Sequence, residues 1–336
     1  MKLQKPYLLF LGDAENRISA KTSIGIAEFK QEDCVGFCKL KEGQVVLNNL
    51  PEISINKAKE LGAKTFVVGL ANSGGFIAKN WIPTILEAIN AGFDIASGLH
   101  QKLEEIPQIK EAAQKNNINL FNARYCNEKL KTAKGTKRSG KRILTVGTDC
   151  SVGKMYTTLI LQQALNNAGK KAKFVATGQT GILISGSGIS IDAVIADFIS
   201  GAVESMTPAI PDDEFYVIEG QGSLFHPSFS GVTLGLLHGS APDYIVMCHE
   251  PNRPHMRGVP DYQLPDLETC IERNLLMGKL TNPNIKCVGI SCNTSAMNET
   301  EAKKYLAKIS DEFNLPACDP FRFGVKNLVE KICQEN

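Results

Sequence analysis

Residues Arg142–Met155 read RILTVGTDCSVGKM, and this stretch decides the fold of the second half of the chain. An apolar run leads into a loop bounded by Gly147 and Gly153-Lys154, and a long helical pattern follows. Glycines let backbone N–H groups turn towards an anion, the helix N-terminus adds positive potential, and the lysine adds a point charge. The pattern predicts phosphate binding, and the alternative is a tight strand-to-helix turn with an incidental lysine. The predicted binding residues are Gly147, Thr148, Asp149, Cys150, Ser151, Val152, Gly153, Lys154 and Met155.

The loop departs from the usual P-loop in two ways. Five residues rather than four separate Gly147 from Gly153. Met155 stands where a Ser or Thr hydroxyl would hold Mg²⁺, and a thioether is a poor ligand for a hard cation. We therefore expect the loop to hold phosphates without magnesium-dependent nucleotide chemistry, and we expect no metal.

Outside the loop, both halves of the 336-residue chain alternate short apolar runs with amphipathic stretches. This alternation predicts parallel sheets covered by helices on both faces. We predict two α/β domains, a Rossmann-like N-terminal domain over residues 1–138 and a P-loop-type C-terminal domain over residues 139–336. Predicted strands of the second half are Arg142–Val146, Lys173–Ala176, Phe215–Ile218, Tyr244–Cys248 and Cys287–Ser291, and one predicted helix is Ile191–Ser205.

A basic segment separates the two halves. Lys131–Arg142, KTAKGTKRSGKR, carries six basic residues and two glycines without an acid. Such a segment cannot bury a core and is typical of a surface linker. The alternative is a basic rim that attracts a phosphorylated ligand to the neighbouring loop.

Composition excludes several classes of protein. Lys plus Arg total 37 against 35 Asp plus Glu, so a net charge of +2 gives no support for nucleic-acid binding. No apolar run approaches the ~18–20 residues that span a membrane. Ten scattered cysteines are typical of buried free thiols in a reducing cytoplasm. We expect a cytoplasmic homo-oligomer with no membrane or nucleic-acid partner.

The loop GTDCSVGK resembles that of dethiobiotin synthetase and its P-loop relatives, in which GTDTxVGKT is usual. A second similarity is Val217–Gly222, VIEGQG, an apolar strand that ends in an acid and a glycine turn. In parallel α/β sheets such a strand end points into the ligand crevice.

Longer segments resemble the D-glutamate N-acetyltransferase family over nearly the whole chain. The matching segments are AKTSIGIAEF (20–29), VVGLANSGG (67–75), DIASGLHQKL (94–103), GTDCSVGKM (147–155), VATGQTGILISGSGISIDAVIADFISGA (175–202), IEGQGSLFHPSFSGVTLGLLHGSAPD (218–243) and CHEPNRP (248–254). The resemblance implies acetyl transfer from acetyl-CoA to the amine of D-glutamate, an acidic D-amino acid. A loop without the magnesium hydroxyl fits CoA, whose phosphates are held but not cleaved.

Acetyl transfer to an amine needs a base and cations that hold the substrate carboxylates. The candidate bases are Glu219, His226, Asp197 and Asp149, of which Glu219 and His226 rank first. Arginine offers a planar fork that suits carboxylates. The candidates for substrate binding are Arg253 and Arg257 in HEPNRPHMR and, in the first half, Arg124 and Lys21.

Two other functions remain open at this point. One is a Mg-ATP-dependent ligase or kinase of the dethiobiotin synthetase type, against which Met155 argues. The other is a non-catalytic module that binds CoA or a nucleotide, in which the loop from Glu219 to His226 would be structural.

Overall fold

The computed structural model describes residues 3–72, 74–126 and 129–335, and these divide into two compact units. The first unit holds the described residues of Met1–Asn127 together with Gly178–Ser190, and the second holds those of Glu128–Thr177 and Ile191–Asn336. Each unit contains one parallel sheet, which confirms the predicted α/β class. The boundary near residue 138 stays a prediction.

The first unit is built on a five-stranded sheet in the order β2-β1-β3-β4-β5. Every residue of the central strand β3 is buried, as expected for a parallel strand covered on both faces. The strands are β1 (Tyr7–Phe10), β2 (Cys34–Cys38), β3 (Thr65–Val68), β4 (Asp94–Ser97) and β5 (Leu120–Asn122), and the helices are α1 (Lys21–Phe29), α2 (Ile55–Glu60), α3 (Ile82–Ala91) and α4 (Pro107–Asn116).

The second unit is built on a six-stranded sheet in the order β11-β10-β9-β6-β8-β7. Its strands are β6 (Lys141–Gly147), β7 (Lys171–Val175), β8 (Glu214–Ile218), β9 (Tyr244–His249), β10 (Lys286–Cys292) and β11 (Ala317–Cys318). The helices from here on are α5 (Lys154–Asn167), α6 (Gln179–Ser185), α7 (Ile199–Met206), α8 (Ser230–Ser240), α9 (Leu267–Gly278), α10 (Glu299–Phe313) and α11 (Lys326–Gln334). Helix α6 clusters with the first unit, where the hydroxyls of Thr180 and Thr22 lie 3.0 Å apart.

Side chains of the central strands alternate between two cores. Leu144 and Val146 of β6 pack with side chains of α7 to α10, whereas Ile143 packs with side chains of α5 and α11. The sheet is therefore covered on both faces, and its functional groups lie at the strand ends.

The prediction of one continuous helix over Ile191–Ser205 was wrong. Only α7 is α-helical there, and two short 3-10 turns precede it. In a continuous helix, residues four apart share a face. Here Ile191 and Ile199 are buried but Ile195 is 71% exposed, so packing favours a bent path.

The basic segment fixes the start of β6. The guanidinium of Arg142 is buried and donates to backbone carbonyls, among them those of Thr207 and Pro208 at 3.0 Å. Arg138 pairs with Glu204 at 3.2 Å. Because β6 spans about 20 Å at ~3.3 Å per residue, these arginines lie at the end of the strand opposite the phosphate loop. Their placement does not support a basic rim beside that loop.

All ten cysteines lie in the described residues and are free thiols. Burial raises the pKa of several of them, including Cys248 to about 11. Within residues 3–72, 74–126 and 129–335, no helix combines the length and apolar character needed to cross a membrane.

Candidate functional site

The phosphate loop joins β6 to α5 at the carboxyl edge of the second unit's sheet. Gly147 ends β6, one residue beyond the predicted end at Val146, and Lys154 begins α5, as predicted. Ser151 and Gly153 have left-handed backbones, with φ of 54° and 94°, a conformation that is uncommon for serine. This is the strand–loop–helix geometry of anion-binding loops.

Lys154 is held inside its own loop. The side chain is only 6% exposed, and Nζ donates to the carbonyl of Asp149 at 2.8 Å. Its stem packs on Gly220, where an added Cβ would lie 2.9 Å from Lys154 Cδ and 1.8 Å from the carbonyl oxygen of Thr145. Burial lowers the pKa of Lys154. Nζ is hydrogen-bonded to the carbonyl oxygen of Asp149. A phosphate bound in the loop would place a negative charge beside it.

The hydroxyls of the two threonines in the first turns of α5 form hydrogen bonds within the protein. Thr157 Oγ1 donates to the Gly153 carbonyl at 3.0 Å and lies 2.8 Å from Ser291 Oγ. Thr158 Oγ1 donates to the Lys154 carbonyl at 2.7 Å. Neither threonine replaces the hydroxyl that a magnesium-dependent loop carries beside its lysine.

Asp149 connects the loop to the segment that follows β9. Its side chain is fully buried. Oδ1 accepts from the N–H of Cys150 at 2.6 Å, and Oδ2 accepts from Arg253 Nη1 at 2.6 Å and from the N–H of Arg257 at 2.8 Å. Both carboxylate oxygens are therefore occupied by groups that hold the loop.

Arg253 braces the outside of the loop. Nη1 also donates to the Cys150 carbonyl at 2.7 Å, and Nη2 donates to the Ser151 carbonyl at 3.1 Å and to the carboxylate of Glu250. Burial alone would lower the pKa of Arg253, but the hydrogen bonds that it donates to Asp149 and Glu250 outweigh burial, and the pKa is raised. This guanidinium is a permanent cation whose Nη donors are directed at the loop.

Arg257 differs from Arg253 in which of its atoms are held. Its N–H donates to Asp149 and its carbonyl oxygen lies 3.0 Å from His226 Nε2. The residue is exposed, and within the described part of the chain no hydrogen bond or ion pair of its guanidinium is seen. A fixed backbone thus presents a cation at the rim of the phosphate loop.

His226 links two loops from a buried position. Nδ1 accepts from the N–H of Ser228 at 3.2 Å, which assigns the proton to Nε2, and Nε2–H then donates to the Arg257 carbonyl. Both ring nitrogens are engaged in this arrangement. In this state it positions Arg257.

Glu219 follows β8 directly and is 3% exposed. Oε2 accepts from the N–H of Thr177 at 2.9 Å, and the Thr177 hydroxyl donates to the Glu219 carbonyl at 2.5 Å. Glu219 immediately precedes Gly220, and Gly220 packs on Lys154 of the phosphate loop. Glu219 thus follows the carboxyl end of a strand, as predicted, whereas its place in a ligand crevice and its role as a base stay predictions.

Three other candidates lie on other elements of the chain. Asp197 is exposed on a 3-10 turn before α7 in the second unit. Arg124 is buried shortly after β5, and Lys21 begins α1, both in the first unit. Their roles stay predictions.

Asp149, Cys150 and His226 place their potential metal-ligand atoms within 4.8 Å of one another. The two Asp149 oxygens and both His226 nitrogens already have protein partners. A metal ion there would have to displace the bonds that fix the phosphate loop, so these residues do not fit a metal site.

Sequence reasoning missed two residues of this edge. Thr177 holds Glu219, and His249, at the end of β9, places Nδ1 3.1 Å from Thr148 Oγ1. Both stand at or just beyond the carboxyl end of a strand. The rule that ligands bind at this edge of parallel sheets could have singled them out.

Comparison with known families agrees with the two-part organisation. A model described as the P-loop domain DUF1611_C, a domain of unknown function, matches residues 130–329. A second model, described as the Rossmann-like domain DUF1611_N, matches residues 39–125.

Individual relatives match nearly the whole chain. A D-glutamate N-acetyltransferase from a Pseudoalteromonas species is 50% identical over 333 residues, which are 99% of this chain and 100% of the relative. A protein of the same name from Tritonibacter scottomollicae is 46% identical over 98% of this chain and 99% of its own length. The crystal structure of a DUF1611 family protein from Anabaena variabilis superposes with a TM-score of 0.87 at 31% identity, covering 98% of this chain and 100% of that one.

Proposed function

The chain belongs to the DUF1611 family, and from this premise we propose that it is an enzyme that transfers an acetyl group from acetyl-CoA to the amine of D-glutamate. The observation that carries the proposal is the identity of 50% and 46%, over nearly the full chain, with two D-glutamate N-acetyltransferases. We propose acetyl-CoA as the donor because the phosphate loop suits a ligand whose phosphates are bound but not cleaved.

The reaction joins the amine nitrogen to the thioester carbonyl carbon and breaks the carbon–sulfur bond. CoA leaves as a thiolate that takes up a proton, while the nitrogen loses one. In this scheme Lys154 and the N–H groups of the loop hold the CoA pyrophosphate.

We assign proton removal to Glu219. Glu219 stands at a strand end beside Gly220, which packs on Lys154. A base must lie near the thioester, and the pyrophosphate places the donor over this edge.

We assign recognition of a substrate carboxylate to Arg257 rather than Arg253. The Nη donors of Arg253 are used on the phosphate loop and Glu250. Arg257 has an immobilised backbone and an exposed side chain, which suits a charge-assisted hydrogen bond to an incoming anion.

The test is a free-thiol release assay with acetyl-CoA and a panel of D- and L-amino acids in the presence of EDTA. We expect thiol release with D-glutamate and unchanged rates when EDTA is added. Release with no amino acid of the panel would overturn the substrate. Turnover of Mg-ATP without use of acetyl-CoA would overturn the transferase and favour a ligase or kinase.

Cytoplasmic location and a homo-oligomeric state are part of the same proposal. Light scattering coupled to gel filtration measures the second directly, and a mass of one chain, 36.5 kDa, would contradict it.

A further inference from the structure

An exposed aromatic ring lies beside the helix that follows the phosphate loop. Phe321 is 57% exposed, and its ring centroid is 4.9 Å from that of Tyr156, with the two rings at 61°. Tyr156 is in the first turn of α5, two residues after Lys154, a rise of about 3 Å along the helix. Aromatic surface therefore begins close to the residue that would hold a phosphate.

The segment that carries Phe321 is fixed in place. Asp319 is buried, and its Oδ1 accepts from the N–H groups of Phe321 at 3.1 Å and Arg322 at 3.2 Å. Oδ2 accepts from the N–H and the hydroxyl of Thr294 at 3.0 and 2.6 Å. This double anchor ties the segment after β11 to the segment after β10. A ring on such a support is already ordered, so less conformational entropy is lost when a ligand stacks on it.

Two positive charges lie beside the ring of Phe323, two residues after Phe321. Arg322 donates from Nη1 to the carbonyls of Thr294 at 2.8 Å and Met297 at 3.0 Å, and its guanidinium lies 5.3 Å from the ring centroid of Phe323. Lys303 Nζ lies 5.4 Å from the same centroid. These cations lie over Phe323 and Lys303 also pairs with Glu299, so the case for Phe321 rests on its exposed ring and its anchored backbone.

The strand order of the sheet predicts how a bound ligand would be oriented along its carboxyl edge. Strand ends are aligned, since Gly147 is opposite Cys248 and Ser291 is opposite Cys318. At ~4.8 Å per strand, the end of β10 is about 10 Å from the phosphate loop. Phe321 follows β11 on that side, whereas Glu219 follows β8 on the other side. An acyl-CoA donor whose pyrophosphate bound at the loop would thus place its nucleoside on the β11 side of β6 and its thioester on the β8 side.

Resting on the proposed use of acetyl-CoA, we propose that Phe321, backed by Tyr156, is the platform on which the adenine ring of the donor stacks. Adenine presents a flat π-face, and stacking on an aromatic side chain contributes ~1–3 kcal/mol per base. The platform would bind the adenosine end of CoA and leave the thioester towards Glu219.

The test measures how Phe321→Ala changes binding of donors with and without a nucleotide. Calorimetry with acetyl-CoA and with ADP should show Kd values raised about tenfold or more, since ~1.4 kcal/mol is a factor of ten. Turnover of S-acetylpantetheine, which lacks the nucleotide, should keep its kcat/KM. Phe321→Trp should restore the affinity for both nucleotides, and Leu280→Ala, another exposed apolar residue of the second unit, should change neither.

An unchanged Kd for both nucleotides in Phe321→Ala overturns the platform, as does an equal loss with S-acetylpantetheine. The proposed function fails separately. If the wild-type protein releases no thiol from acetyl-CoA but Phe321→Ala still raises the Kd for ADP, the adenine platform stands and the proposed transferase activity does not. If thiol release is normal and Phe321→Ala binds both nucleotides as the wild type does, the transferase stands and the platform falls.

Discussion

Asp149 Oδ2 lies 2.6 Å from Nη1 of Arg253, and this buried ion pair joins the phosphate loop to a segment 104 residues further along the chain. The same oxygen accepts the N–H of Arg257. One carboxylate therefore sets both the shape of the loop and the position of the neighbouring cation.

Asp149→Asn should lower the free energy of unfolding by about 3 kcal/mol, because it removes the fully buried charge partner of Arg253 and leaves that guanidinium only the partly exposed Glu250. Urea unfolding of the second unit measures it. Glu330→Gln, which breaks an exposed pair with Lys326, should leave the transition in place. Equal midpoints for Asp149→Asn and the wild type would show that Arg253 is compensated by its other contacts.

Arg257→Ala should raise the KM for D-glutamate about 10- to 100-fold without loss of stability. A charge-assisted hydrogen bond is worth ~1.5–3 kcal/mol, and the backbone of residue 257, not its side chain, holds the loop. Steady-state kinetics and thermal melting together make the test. Arg253→Ala should instead lower the melting temperature, because its guanidinium holds the loop. A selective rise in the KM for D-glutamate in that variant would assign substrate binding to Arg253 rather than Arg257.

Lys154→Ala should raise the Kd for acetyl-CoA at least tenfold, because Nζ is the charged group inside the loop. Calorimetry with acetyl-CoA provides the measurement, and Lys279→Ala, an exposed lysine after α9, is the control. An unchanged Kd and KM in Lys154→Ala would mean that the loop does not bind the phosphates.

The parts of the site that could be predicted are those encoded locally. The strand, glycines and lysine of residues 142–155 are contiguous, so their geometry follows from backbone conformation alone. The pairing of Asp149 with Arg253 depends on how β6 and β9 are brought side by side, which residue spacing does not specify. For the same reason the sequence favoured Arg253 over Arg257 as the residue that binds a substrate carboxylate. The bent path through Ile195 depended likewise on tertiary packing, which overrode a helical pattern.

His249 should make stability fall as pH falls from about 6.5 towards 4. Burial, reinforced by the charge of Arg253, lowers its pKa to about 4, whereas the unfolded residue titrates near ~6.5. Between these pH values the unfolded chain binds a proton that the folded chain does not. The free energy of unfolding therefore falls, by up to about 3 kcal/mol. Above about pH 6.5 both forms are neutral and the effect vanishes.

Urea unfolding at about pH 7.5 and about pH 5 measures this dependence. His249→Asn keeps an acceptor near Thr148 Oγ1 and does not titrate, so its stability should change less between the two pH values. Parallel pH dependences for the variant and the wild type would place the titration in other groups.

Glu219→Gln should lower kcat about 10²- to 10⁴-fold, the usual contribution of a positioned base. The amide oxygen can still accept from the Thr177 N–H, so the loop should keep its shape and the KM for acetyl-CoA should be unchanged. Asp197→Asn, at the exposed carboxylate before α7, discriminates between the two candidates. A loss of kcat in Asp197→Asn with an active Glu219→Gln would assign the proton transfer to Asp197 and leave Glu219 as the residue that holds Thr177.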